Sequence, residues 1–315
     1  MNKNAKIFVA GHEGLVGSAV TRKLVRDGYT NLCLRTHGEL DLIRQQAVDD
    51  FFAVERPEYV FLCAAKVGGI MANSIYTAQF SYENLMISAN VIQASHQYGV
   101  KKLLNLGSSC IYPANAVQPL KEDYLLTGKL EPTNEAYAVA KIAAIILCRS
   151  YNQQYGTNFV SVMPTNLYGP HDNFDLETSH VLPALLRKFH EAKADGASYV
   201  AIWGTGRPVR EFLYVDDLAE ALLYVMQNHD AAEIGDFINI GTGVGITIKA
   251  LGELIADIVG FKGEIRFDAG KPDGMAVKIL DVERINRLGW KASTSLAEGI
   301  RMTYEWYREV SPRTP

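Results

Sequence analysis

Lys6-Ile7-Phe8-Val9-Ala10-Gly11-His12-Glu13-Gly14-Leu15-Val16-Gly17 is the stretch whose reading decides the fold. Residues 6–10 form an apolar run of strand length. From Leu15 the pattern becomes helical, continues to Asp27 and stops at Gly28. Between strand and helix lies G-x-x-G-x-x-G. In this setting Gly11 permits a tight turn and Gly14 lets the backbone approach a pyrophosphate. Gly17 allows close packing of helix on strand, with the phosphates at the helix N-terminus. With His12, Glu13, Leu15 and Val16, these glycines make up the expected dinucleotide-binding loop.

The same alternation continues outward. Strands are expected at residues 31–34, 59–63, 102–106 and 159–163. Helices are expected at 44–55, 80–98 (stopping at Gly99) and 136–155 (ending at Gly156). Apolar strands alternating with amphipathic helices predict an α/β fold: a Rossmann-type, doubly wound parallel sheet with helices on both faces. After about residue 170 turn residues increase. There the pattern gives helices at 182–194, 216–227, 248–259 and 296–307, with short strands at 200–203 and 238–240. The expected organisation is a dinucleotide-binding domain over residues 1–170, with returning segments from the C-terminal half. A smaller C-terminal α/β substrate lobe is expected over 171–315.

The 315 residues suffice for one large domain or two lobes sharing a core, and 48% hydrophobic with 21% charged is an ordinary globular balance. The net charge of −4, with Lys and Arg dispersed, argues against a nucleic-acid or membrane surface. With no long apolar run and no leader signal, the reading is a soluble, cytoplasmic protein. Cys33, Cys63, Cys110 and Cys148 form no CxxC pair and have no histidine at metal-site spacing, so no metal is expected. Cys33, Cys63 and Cys148 fall in apolar patterns and read as small buried hydrophobes.

Tyr137-Ala138-Val139-Ala140-Lys141 places a phenol and an ammonium at i and i+4, on one face of a helix. The lysine is expected to hold the phenol below its ordinary value near ~10. Ser108, 29 residues before the tyrosine, can hold the oxygen being protonated. Such a set suits proton transfer to or from a carbonyl. The second strand ends Cys33-Leu34-Arg35-Thr36-His37. An acid there would bond the ribose 2′-hydroxyl of NAD, but Arg35 stands in its place, so NADP(H) is the expected cofactor. Glu13, in the glycine loop, is an awkward neighbour for a 2′-phosphate.

With these pieces in place, the chain resembles the extended short-chain dehydrogenases/reductases, and more narrowly the GDP-L-fucose synthase family. The resemblance covers nearly the whole chain. It is carried by the blocks Ala64-Ala65-Lys66-Val67-Gly68-Gly69-Ile70, Leu106-Gly107-Ser108-Ser109-Cys110-Ile111-Tyr112-Pro113 and Leu130-Glu131-Pro132-Thr133-Asn134-Glu135. Further blocks are Met163-Pro164-Thr165-Asn166-Leu167-Tyr168-Gly169-Pro170, Ser179-His180-Val181 and Arg210-Glu211-Phe212-Leu213.

The resemblance implies a two-part reaction on GDP-4-keto-6-deoxy-D-mannose. A C4 ketone acidifies the hydrogens at C3 and C5, and these centres are epimerised by proton removal and return from the opposite face. Hydride from NADPH then reduces C4. It implies Cys110 as the base and His180 as the acid, with Tyr137 protonating the C4 oxygen and Ser108 bonding it. Lys141 would hold the nicotinamide ribose and tune the tyrosine. Cofactor contacts extend to His37, Ala64, Ala65, Lys66, Leu106, Gly107, Pro164, Thr165, Asn166, Leu167 and His180. For the GDP-sugar, the implied residues are Ser109, Asn166, Lys188, Trp203, Arg210 and Asp273. The residues themselves agree: a thiol near ~8.5 and an imidazole near ~6.5 bracket neutral pH. Arg210 and Lys188 can neutralise a diphosphate, and Trp203 offers a flat face.

There are two departures. Family members often carry Arg where Glu13 and His37 stand. After Lys271-Pro272-Asp273-Gly274 many read Thr-Pro-Arg-Lys, against Met275-Ala276-Val277-Lys278 here. A related GDP-sugar 4-ketoreductase or epimerase/reductase acting on another deoxysugar or a heptose stays open, as does a dinucleotide-binding regulator without turnover. Related reductases pair the helices corresponding to 80–98 and 136–155 into a four-helix bundle. The apolar Ile142, Ala143, Ile145, Ile146 and Leu147 therefore give the expectation of a homodimer.

Overall fold

A computed structural model describes residues 1–271 and 273–311. Pro272 of the Lys271–Gly274 block, and residues 312–315 of the expected C-terminal lobe, lie outside the described residues. The chain runs β1 (Ile7–Ala10), α1 (Leu15–Arg26), β2 (Leu32–Cys33), α2 (Gln45–Glu55), β3 (Tyr59–Leu62), α3 (Ile70–Ile75), α4 (Thr77–Gln97), β4 (Lys102–Leu106), α5 (Glu135–Tyr155) and β5 (Phe159–Pro164). It continues with β6 (Asn166–Tyr168), α6 (Val181–Ala194), β7 (Tyr199–Trp203), β8 (Val209–Tyr214), α7 (Val215–Asn228), α8 (Ala231–Ile234), β9 (Ile238–Ile240), β10 (Gly245–Thr247), α9 (Ile248–Val259), β11 (Glu264–Asp268), β12 (Val277–Lys278), α10 (Glu283–Arg287) and α11 (Leu296–Val310).

Six strands form a parallel sheet in the order β2-β1-β3-β4-β5-β9. Successive side chains of a strand point to opposite faces. In β1, Ile7 and Val9 enter a core made with Val20 and Leu24 of α1 and Leu222 of α7. Phe8 and Ala10 enter the opposite core, with Phe52 of α2, Val91 of α4 and Cys148 of α5. Both faces are covered, so β1 and β4 are buried throughout, as the unbroken apolar runs require. Cys33 and Cys148 are buried there and Cys63 is half-buried. Strand order reverses between β1 and β3, which opens a crevice beyond the carboxyl ends of the strands.

The second half is less regular than its sequence pattern suggests. β8 pairs with β6, β10 and β12, and β7 pairs with β11. The sequence reading passed over β6, β8, β10, β11 and β12. β8 carries Arg210 and a fully buried Glu211, which break its apolar alternation, and the other four span two to five residues. A separate core joins Leu185 and Phe189 of α6, Val200 and Ile202 of β7, and Leu251 and Ile255 of α9. From β8 the chain returns to the first sheet, with α7 packing beside α1 and β9 at the sheet edge.

Candidate active site

A cleft of about 890 Å³ opens where the carboxyl ends of the parallel strands face the second core. The cofactor, catalytic and GDP-sugar residues expected from sequence all line it.

At the dinucleotide end, Gly11 has φ +82°, and a Cβ there would lie 2.8 Å from the Ala64 backbone. A Cβ on Gly17 would lie 2.0 Å from the Gly11 carbonyl oxygen. Both glycines are therefore required by close backbone approach. Gly14, the N-cap of α1, is less confined: its nearest such contact is 3.6 Å away. The first turn of α1 has no acidic residue and no side-chain cap, which leaves a helix N-terminus suited to a phosphate. His12 Nδ1 is buried without a protein partner beside it. These features fit a bound dinucleotide. Beyond them, Arg35 donates to Glu55 at 2.6 Å and lies over the Phe51 ring at 5.6 Å, while staying 37% exposed. Lys66 is paired with Glu83 at 3.3 Å.

The proton-transfer groups sit where β4 ends and α5 passes. Ser108 caps a short 3₁₀ turn, its Oγ accepting from the Cys110 N–H at 3.3 Å. Tyr137 and Lys141 share the inner face of α5. Lys141 is buried and donates to the Leu106 carbonyl at 2.8 Å, its Nζ 5.8 Å from the Tyr137 ring centre. Burial pulls its ammonium down to about 8, with Cys63 acting weakly the other way.

The expected lowering of the Tyr137 phenol is not what the structure gives. Burial, and then the neighbouring Cys110, push it above its ordinary value, and a hydrogen bond with Ser108 offsets only part of this. The lysine's hydrogen bond goes to Leu106, and Ser108, not Lys141, is the neighbour that lowers the phenol. His180, the N-cap residue of α6, is likewise held below the ordinary imidazole value, chiefly by burial and then by the charge of Lys278.

Toward the second core, Trp203 is 41% exposed, with Lys188 Nζ 5.0 Å and Lys271 Nζ 5.1 Å from its ring centre. Two cations thus lie over one aromatic ring. Lys188 also donates to the Ala201 carbonyl at 3.3 Å. Arg210 donates to the Asp273 carbonyl at 3.3 Å. Both oxygens of the Asp273 carboxylate accept from Thr205, at 2.7 Å from its N–H and 2.8 Å from its hydroxyl. Asp273 thus closes the loop around Gly204 as well as lining the cleft. Asn166 donates to the Glu211 carbonyl at 2.7 Å.

Sequence reasoning did not assign roles to three lining residues. Asn134 Nδ2 lies 3.4 Å from Cys110 Sγ, and its Oδ1 is buried without a partner. Lys278 Nζ lies 3.8 Å from the same sulfur. Lys271 is the second cation at Trp203. Asn134 and Lys278 stood inside quoted blocks, but nothing in their local spacing tied them to Cys110, 24 and 168 residues away.

The chain matches the NAD dependent epimerase/dehydratase family over residues 7–241 and belongs to it. It is 55% identical over 314 residues to GDP-L-fucose synthase from Escherichia coli (strain K12), covering 98% of each chain. To GDP-L-fucose synthase 1 of Arabidopsis thaliana it is 56% identical over 306 residues, covering 97% of this chain and 94% of that one. Among solved structures it is similar to MlghC, the NADP-bound GDP-mannoheptose C4 reductase from Campylobacter jejuni. That match has a TM-score of 0.91 at 46% identity and covers 98% of this chain and 99% of that one. Among the described residues no helix is long and apolar enough to cross a membrane.

Proposed function

We propose that this chain converts GDP-4-keto-6-deoxy-D-mannose to GDP-L-fucose by epimerisation at C3 and C5 followed by NADPH-dependent reduction at C4. The observation that carries the reading is the meeting of Ser108, Cys110, Tyr137, Lys141 and His180 in one cleft. Identity of 55–56% to GDP-L-fucose synthases over almost the full chain supports it.

Cys110 takes the proton from the carbon beside the ketone, and the electron pair moves onto the C4 oxygen. His180 returns a proton to the opposite face of that carbon. Tyr137, kept as the neutral phenol by burial, then gives its proton to the C4 oxygen while Ser108 bonds the same atom. When bound, reduced NADP supplies the hydride for C4. The glycine loop and Arg35 would hold its phosphates, and Lys141 its nicotinamide ribose. Lys188, Lys271 and Arg210 face the GDP diphosphate, with Trp203 against the nucleotide or sugar. Residues 1–170 with the returning segments serve the cofactor, and 171–315 serve the GDP-sugar. A cytoplasmic setting agrees with a soluble substrate and cofactor.

Similarity to the heptose reductase favours one second reading, a GDP-sugar 4-ketoreductase. The deciding experiment is incubation with GDP-4-keto-6-deoxy-mannose and NADPH in deuterium oxide, followed by NMR. GDP-L-fucose carrying deuterium at C3 and C5 supports the first reading. NADPH consumption without deuterium at either carbon establishes the second.

The proposal extends to a homodimer built on α4 and α5. Tyr82, Leu85 and Val139 are exposed on these helices, with Ala143 and Ile146 half-buried beside them, whereas Ile142 and Ile145 face the protein's own core. An apolar face of this kind, closed by a two-fold axis, gives a four-helix bundle. Light scattering at micromolar concentration should give twice the monomer mass, and a monomer mass would rule the bundle out.

A further inference from the structure

Lys278 enters the cleft from a part of the chain remote from the other proton-transfer groups. It lies on the two-residue β12, beside β8, in register with Arg210. The backbone around it is tied down on both sides. The Leu280 N–H donates to the buried Glu211 carboxylate at 2.7 Å, and the Ile279 N–H donates to Gln118 Oε1 at 2.9 Å. The Leu120 N–H in turn donates to the Ile279 carbonyl at 2.8 Å. A long, flexible lysine is thus anchored at its base. Among the described residues its ammonium has one hydrogen-bond contact, the sulfur of Cys110 at 3.8 Å.

We propose that Lys278 is a working part of the epimerisation centre: its ammonium holds the negative charge that Cys110 carries when it acts as base. This rests on the epimerase reading above. In that step the C–H bond breaks, an S–H bond forms and the electron pair goes to the ketone oxygen. The second C–H bond then forms as a bond from hydrogen to His180 nitrogen breaks, and Lys278 keeps its proton throughout. A thiol beside an ammonium gives up its proton more readily than a free one. Of the charged and titratable groups, Lys278 on β12 and Tyr137 on α5 are set against the sulfur, and His180 at the start of α6 feels the charge of Lys278. Arg210 stands next to Lys278 on β8. The same charge disfavours protonation of His180, so Lys278 acts on base and acid together. This also gives a reason for lysine to stand at position 278 after the departing Met275-Ala276-Val277: the charge is needed there.

The test compares wild-type protein with Lys278→Met and Lys278→Arg, without sugar or cofactor. Iodoacetamide modification of Cys110 is followed from pH 6 to 10 by peptide mass spectrometry, which separates Cys110 from the other three thiols. At pH 7 the methionine variant should react roughly tenfold more slowly than wild type, and the arginine variant should stay near wild type. A methionine-variant profile that overlays the wild-type one, with the circular-dichroism melt unchanged, overturns the proposal. In a second arm, deuterium uptake into the keto-sugar should fall about tenfold in Lys278→Met. Wild-type protein that takes up no deuterium overturns the epimerase reading and with it the part of Lys278 in that reaction. The alkylation arm reads the Lys278–Cys110 pairing whatever the sugar chemistry proves to be.

Discussion

The two proton-transfer centres proposed for the cleft are built in opposite ways. Tyr137 and Lys141 belong to one turn of α5, and Ser108 follows the adjoining strand β4, so the reducing centre comes from two neighbouring elements. The proposed epimerising centre draws Cys110 from the turn after β4, His180 from the start of α6 and Lys278 from β12, three segments spread over 168 residues. Burial also acts on them differently. Around Tyr137 it keeps a proton donor charged with its proton. Around His180 it works with Lys278 against the protonated form. A centre made by one helix turn is fixed once that helix docks. A centre made by three segments depends on the second sheet being assembled.

Removing the key atom from each centre separates them most sharply. Tyr137→Phe deletes one hydroxyl and little volume. It should lower NADPH oxidation by roughly 10²–10⁴, with cofactor binding by fluorescence titration nearly unchanged. Turnover near the wild-type level would take Tyr137 out of the mechanism. Cys110→Ser replaces the thiol with a much weaker acid, and deuterium exchange at C3 and C5 should drop about 10²-fold. Hydride transfer to the unepimerised ketone should persist in part. Equal loss of both activities would mean that the centres are not separable.

The same contrast explains what could be read before the structure. The glycine loop, the apolar strands and the i, i+4 pair are local patterns, and the first sheet, its crevice and the position of Tyr137 and Lys141 follow from them. The second sheet was not legible, because its strands are short and Glu211, which ties β8 to the β10 and β12 segments, reads as a solvated charge until its three backbone partners are seen. Cys110 and His180 came from resemblance alone, and Lys278 had no local signature. The phenol of Tyr137 shows a different failure. The sequence gives the spacing of the lysine but not the depth of burial, and here burial is the largest influence on the phenol.

Cofactor choice tests how far the local reading of the first sheet extends. Arg35→Ala should reduce the preference for NADPH over NADH in kcat/KM. A charge-assisted hydrogen bond contributes ~1.5–3 kcal/mol, but Glu55 already holds this guanidinium, so a change of about tenfold is expected. Preference for NADH by the unmodified protein would show that Glu13 outweighs Arg35.

The smallest expected effect concerns pH and belongs to the reducing centre alone. Lys141 is held at about 8, below the ordinary lysine value, so its ammonium is present below that pH and lost above it. The groups that face it are Tyr137, Cys63 and the Leu106 carbonyl. Cys63 is pushed up to about 12, and Tyr137 is raised above its ordinary value, so neither titrates in the same window. Because kcat/KM follows ionisations of the free enzyme, NADPH oxidation with a 4-keto sugar should decline on the alkaline side of about pH 8. Between pH 7 and 8.5 the charged fraction of such a lysine falls about fourfold, and the rate constant should fall with it. Lys141→Arg, which stays charged throughout, should flatten that limb even where its absolute rate is lower. A limb that persists in the arginine variant would assign it to another group and leave Lys141 with the ribose alone.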